Sequence, residues 1–237
     1  MTVTDAPTAA VRDADVPLVT VDLFRDIHKA IRSELFGVTL EAGRVSPLDT
    51  EGRAEVARHV VRVRELLAAH AQHEATHVEP VLEEHLPEMG AVLAREHAAI
   101  EARLDELVEL ARWALEADGP TARARTHRLY LDLAEFTARF LDHEDYEERR
   151  VGPALEAVLG PEGAAAVQQA VVAGIPPAQR ATSLAVMLPA LNVDDRAEVL
   201  GGIRAGAPAE AFAGVWALAE SVLTPAQVQE LSGALGL

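Results

Sequence analysis

Residues 70–77 read His-Ala-Gln-His-Glu-Ala-Thr-His, three imidazoles and a carboxylate within about two helical turns. Imidazole nitrogen and carboxylate oxygen are the donors that suit iron, manganese and zinc. On a helix, positions i and i+4 lie one above the other, so His70 and Glu74 can hold one metal centre. The same spacing returns at His143 and Glu147, and it brings its neighbours along. His70, His73, Glu74, Val78, Pro80 and Leu82 are matched by His143, Tyr146, Glu147, Val151, Pro153 and Leu155. A chance HxxxE would not repeat its flanks.

Composition narrows the chemistry. The chain has 237 residues, no cysteine and a formal net charge of −17, with Lys29 its single lysine. Without cysteine there is no disulfide, thiolate or iron–sulfur site, so a metal must use nitrogen and oxygen donors. The acidic balance argues against nucleic acid, which needs a basic footprint, and against anionic membranes. No apolar run is long enough to span a bilayer, and the start lacks a basic-then-apolar leader; the expectation is a soluble, cytoplasmic protein. All nine histidines lie between His28 and His143, which confines the metal chemistry to the first two-thirds.

The elements that must position these residues read as helices throughout. Residues 1–16 carry no apolar period and are expected to be a loose tail. A stripe of Val21, Phe24, His28, Ile31, Leu35, Thr39 and Ala42 predicts a first helix that stops before Ser46-Pro47. A second begins near Asp49, carries Val56, Val60, Val63, Leu67, His70, Glu74 and Val81 inward, and ends around Leu86-Pro87. A third follows Pro87 with Leu93, His97, Ile100, Glu101, Leu104, Val108 and Leu115 on one face, and breaks at Asp118-Gly119-Pro120. A fourth runs from about Thr121 past Val151 with Leu129, Leu133, Phe136, Phe140, His143 and Glu147 on its face.

In an up-and-down bundle, residues equally distant from a turn share a height. Counted from turn centres near 47, 86 and 119, His28, His70, Glu74, His97, His143 and Glu147 fall within a layer roughly 10 Å thick at 1.5 Å per residue. The first and third helices also align, His28, Ile31, Arg32 and Leu35 with His97, Ile100, Glu101 and Leu104. Each half of a duplicated hairpin thus offers one His and then one HxxxE, a frame for two metals bridged by two carboxylates. The fold class predicted is all-α: an antiparallel four-helix bundle over residues 17–159, then Ala-rich helices over 160–237 packing on it or capping it. Those later helices fall at about 161–173, 178–191, 194–205, 208–223 and 225–235, and carry no assignable motif.

The order His28, His70/Glu74, His97, His143/Glu147 resembles the hemerythrin-like (HHE cation-binding) family over about residues 18–158, and the paired Val-x-Pro-x-Leu tails are similar to that family's repeat. The resemblance implies a non-haem di-iron centre, with manganese or zinc as possible substitutes and an open position for O₂ or a peroxide. It implies Glu74 and Glu147 as bridges, His28 and His70 as ligands of one iron, and His97 and His143 as ligands of the other. Oxygen-carrying members have a second His one turn after the third-helix ligand, where this chain has Glu101. As a ligand, Glu101 would make the shell more anionic and favour oxidation chemistry over reversible O₂ carriage. His77, about 20° from His70 on a helical wheel, is a second candidate ligand or a pocket residue.

His73 and its counterpart Tyr146 read as surface or supporting residues, and His59, His85 and His127 as ordinary helix-face positions. The segment His73–His77 also spells the HExxH of zinc peptidases, but that reading leaves His28 and the second HxxxE without a role. The functional expectation is O₂ or peroxide activation, with oxidase or oxygenase chemistry on a small organic molecule. The alternatives are an O₂, nitric oxide or redox binding and sensing module, and an iron-handling or peroxide-detoxifying protein. A monomer or homodimer is expected.

Overall fold

In a computed structural model, residues 19–237 are described, and their regular elements are all helices; the expected tail at 1–16 lies outside them. Four long helices supply one core: α1 (Arg25–Arg44), α2 (Thr50–His77), α4 (Pro87–Leu115) and α5 (Gly119–Tyr146), with a short α3 (Glu79–His85) between the second and third of these. α1 packs on α2 and α5, and α4 packs on the same two. Ile31, Leu35, Val60, Leu67, Leu107, Leu133, Phe136 and Phe140 are buried together where the four meet.

The boundaries follow local chemistry. α1 starts at Arg25 rather than near Val21 because the Asp22 carboxylate accepts the amides of Phe24 and Arg25, at 3.2 and 3.0 Å. The preceding strand of chain is tied elsewhere, its Thr20 and Val21 amides donating to Glu156. Asp49 caps α2 by accepting from Gly52 N–H at 2.9 Å. Gly119 takes a positive φ of 54° at the α4–α5 turn, a conformation glycine adopts without a Cβ clash.

Two departures from the sequence reading lie just beyond the metal motifs. The second helix does not run on to Leu86: it ends at His77, and Pro80 opens α3. Proline has no N–H to donate and disfavours helical geometry in the residue before it. In the second copy, Pro153 occupies the equivalent place, and the chain stays helical by widening into a π-turn over Glu147–Val151, in which Gly152 N–H donates to Glu147 C=O. The fourth helix therefore continues as α6 (Gly152–Gly174), interrupted at Gly160, where φ is 72°.

The repeated tails meet: Val78 and Leu82 pack with Val151 and Leu155, joined by Phe24, Leu93 and Val167. This second core closes the bundle end that carries the motifs. The remaining helices, α7 (Pro177–Ala190), α8 (Val193–Gly206), α9 (Ala209–Val222) and α10 (Pro225–Leu235), share a third core of Leu188, Leu200, Ala219, Leu223 and Leu231. α7 lies on α1, and Lys29 and Arg25 of α1 both pair with Asp195 of α8. No helix among the described residues is long and apolar enough to cross a membrane.

At the bundle end opposite the motifs, the buried Arg53 guanidinium donates to the carbonyls of Ala114 and Ala117 at 2.6 and 2.7 Å, closing the C-terminus of α4. An Arg53→Met substitution removes the guanidinium donor from both buried carbonyls and is expected to cost about 2–3 kcal/mol. Urea unfolding of the metal-free protein checks this; a loss under about 0.5 kcal/mol would contradict the assignment.

Candidate metal centre

The six motif residues converge from four helices. Ligand atoms of His28, His70, Glu74 and Glu147 all lie within 4.8 Å of one another, as do those of His97, His143 and Glu147. Glu74 stands between the two groups, its Oε1 3.3 Å from His70 Nε2 and its Oε2 3.2 Å from His97 Nε2. Glu147 does the same on the other side, its Oε2 3.4 Å from His28 Nε2 and its Oε1 3.3 Å from His143 Nε2. The π-turn begins at Glu147, so the widened backbone sets the height of this carboxylate.

Burial makes the arrangement costly unless something positive enters it. His28 and Glu147 are fully shielded from solvent, and Glu74, His70 and His143 nearly so. Both oxygens of both glutamates, together with Nε2 of His28, His70 and His97, lack a hydrogen-bond partner. Orphaned buried polar atoms are rare and cost free energy each. Two donors about 2.1 Å from a shared cation stand roughly 3.0–3.4 Å apart at bond angles near 90–110°. The observed nitrogen–oxygen separations fall at that spacing, so the residues fit a pair of metal ions.

The opposite face of three imidazoles is held by carboxylates. His28 Nδ1 pairs with Glu148 at 3.0 Å, His97 Nδ1 with Glu79 at 2.9 Å, and His143 Nδ1 with Glu96 at 2.8 Å. Such partners fix the proton on Nδ1, aim Nε2 at the metal and raise the basicity of the ring. Arg32 ties this network to α1, reaching Glu148 at 2.8 Å and Glu144 at 2.9 Å. Apolar rings complete the walls: Phe24 stacks on His28 with centroids 5.2 Å apart, and Phe140 meets His143 edge-on at 5.5 Å.

Electrostatics show how the metal-free cluster balances itself. Burial lowers the His28 pKa, but Glu147 and Glu148 facing its two nitrogens outweigh it and raise it to about 10. His97 is likewise lowered by burial and raised further by Glu147, Glu74 and Glu79, to about 11. Glu147 is raised by burial, yet the surrounding histidines hold it well below the usual carboxylate range. For His70, burial dominates and the pKa falls. Burial also pushes the Glu144 carboxyl up, to about 7.

The two additional candidates stand elsewhere. Glu101 is exposed; the buried stripe of α4 runs through Leu93, Leu104 and Leu107 and drifts to the side of Ile100, carrying Glu101 away from His97 toward solvent. His77 lies outside both groups, at the end of α2, where its ring packs on the backbone of Gly174 so closely that a Cβ there would collide with Nε2. His77 thus faces α6 rather than the centre. His73 is half-buried beside His77, and burial followed by that neighbour lowers its pKa. His85 and His127 are exposed, whereas His59 is buried and clamped between Glu41 at 2.7 Å and Glu34 at 3.0 Å.

Glu79, Glu96, Glu148 and Arg32 escaped the sequence reading. Glu96 and Glu148 are chain neighbours of motif residues, but in a chain with 38 acidic residues adjacency carries little information.

Because His28 and His97 are protonated at neutral pH without metal, a cation must displace both protons. Uptake at pH 7 is expected to release about two protons, with apparent affinity rising as pH rises. Calorimetric metal titrations in buffers of different ionisation enthalpy measure this; pH-independent uptake would contradict it.

Comparison with known proteins agrees with this geometry. The family model of the Hemerythrin HHE cation binding domain matches residues 19–166, well over half of the chain. No curated protein and no solved structure gave a match. With four histidines and two glutamates gathered from four helices, this chain belongs to the hemerythrin HHE cation-binding family.

Proposed function

We propose that the chain is a non-haem di-iron protein that binds and activates O₂ or a peroxide, and that it uses the oxidising power on a small organic molecule. The fold reading that goes with it is an antiparallel up-and-down bundle over residues 17–159, carrying an attached helical layer over 160–237. His28 and His70 would hold one iron and His97 and His143 the other, with Glu74 and Glu147 shared between them, and manganese or zinc could take the same donors. The observation that carries this reading is the set of unpartnered buried atoms on both glutamates and three histidines.

Iron, when bound, supplies the redox chemistry and the attachment point for a small oxidant. The chain's own residues do the rest. The six residues would supply the nitrogen and oxygen donors of the pair. The glutamates fix the spacing of the pair, and the carboxylates behind His28, His97 and His143 make those imidazoles stronger electron donors. Phe24, Phe140 and the repeated Val and Leu tails keep bulk water from the cluster.

Exposed Glu101 does not favour oxidation over reversible carriage. Glu79, Glu96 and Glu148 do, since anionic charge behind the imidazoles favours the higher oxidation state of a metal bound to them. Stopped-flow mixing of the anaerobic iron(II) protein with O₂ is the test. One-way conversion to the iron(III) spectrum within seconds is expected. A persistent spectrum that reverts when O₂ is removed would instead establish a carrier or sensor, and iron that fails to bind would end the di-iron reading.

A further inference from the structure

Resting on the di-metal reading, we infer that the two metal positions are inequivalent: the His97/His143 position takes its cation first and holds it more tightly, through Glu79 and Glu96 as positioning residues. Each glutamate turns one oxygen toward each side, although Glu74 gathers within 4.8 Å only with His28, His70 and Glu147. Glu74 Oε1 faces His70 and Oε2 faces His97, while Glu147 Oε2 faces His28 and Oε1 faces His143. The difference that bears on tightness stands behind the imidazoles, where a carboxylate on Nδ1 raises the basicity of the ring.

There the two sides differ. His97 and His143 each have a carboxylate on Nδ1, from Glu79 and Glu96. On the other side only His28 has one, from Glu148. The Glu148 oxygen that His28 uses also accepts from Arg32 Nη1 at 2.8 Å, so a guanidinium competes for its charge. His70 pairs with Glu74 through Nε2, and among the described residues no carboxylate is paired with its Nδ1. One position therefore has two carboxylate-backed imidazoles, and the other has one, shared with an arginine. Loss of a carboxylate behind a metal-bound imidazole typically weakens metal affinity by about 10–100-fold, which sets the expected gap between the two binding steps.

The test is an anaerobic titration of the metal-free full chain with cobalt(II), followed by its visible absorption, which tracks occupancy and ligand geometry. Two steps separated by about 10–100-fold are expected. The tighter step should survive His70→Ala and be lost in His143→Ala. The double variant Glu79→Gln, Glu96→Gln keeps a hydrogen-bond acceptor in each place and removes only charge; its two steps should draw together while its thermal unfolding midpoint stays near the wild-type value. Two indistinguishable steps in the wild-type protein, a tight step lost in His70→Ala and kept in His143→Ala, or an unchanged gap in the double variant would each overturn the inference while leaving a two-metal centre standing. A wild-type chain that binds neither cobalt nor iron would remove the centre itself, and the inference with it.

Discussion

Everything at the motif end of this protein depends on two carboxylates placed where they cannot stay uncompensated. Glu74 and Glu147 are buried between four imidazoles, and none of their four oxygens has a hydrogen bond. A buried carboxylate without a partner is among the most expensive groups a fold can carry. Without metal the cluster answers with protons, which His28 and His97 hold far above the ordinary imidazole range. Protons and cations thus compete for one set of atoms, and the fold supplies a cavity of negative charge that either can fill.

The surroundings are organised to hold that cavity open. Pro80 and Pro153 stand at equivalent places past the two HxxxE motifs, and each forces the helix to change course. The first ends α2, and the second is accommodated by a π-turn that begins at Glu147. The valines and leucines beside these prolines then pack on one another, so the duplicated flank becomes a lid of core directly beyond the ligands. Behind the motif histidines, Glu79, Glu96, Glu148 and Arg32 set the ring orientations. α8 reaches the same end through Asp195, paired to Lys29 next to His28 in the chain.

Much of this was legible in the sequence, for a definite reason. The HxxxE spacing, its duplicated flanks and the order of the histidines are periodic signals, and periodicity survives in one dimension. The four long helices and the convergence of the six motif residues follow from it. Glu101 and His77 marked its limit. Both lie within a turn of a motif residue, but a helical wheel does not say which neighbour a side chain faces: α4 drifts toward Ile100, and His77 meets α6 instead of the centre. Glu79 and Glu96 were hidden for the opposite reason, because their partners come from other helices and their residue type is everywhere in the chain. The expectation of one unbroken helix to Leu86 failed at Val78, just before Pro80, though residues 79–85 are helical as α3.

The central claim is that Glu74 and Glu147 each span two metals held by four imidazoles. Mössbauer spectroscopy of the full chain loaded with isotopically enriched iron tests it most directly, alongside iron content. The account predicts two irons per chain and, after oxidation, a coupled iron(III) pair without net magnetic splitting in a weak field, a coupling disrupted when Glu147 is replaced by alanine. One iron per chain, or two irons that behave as magnetically isolated centres in the wild-type protein, would contradict it.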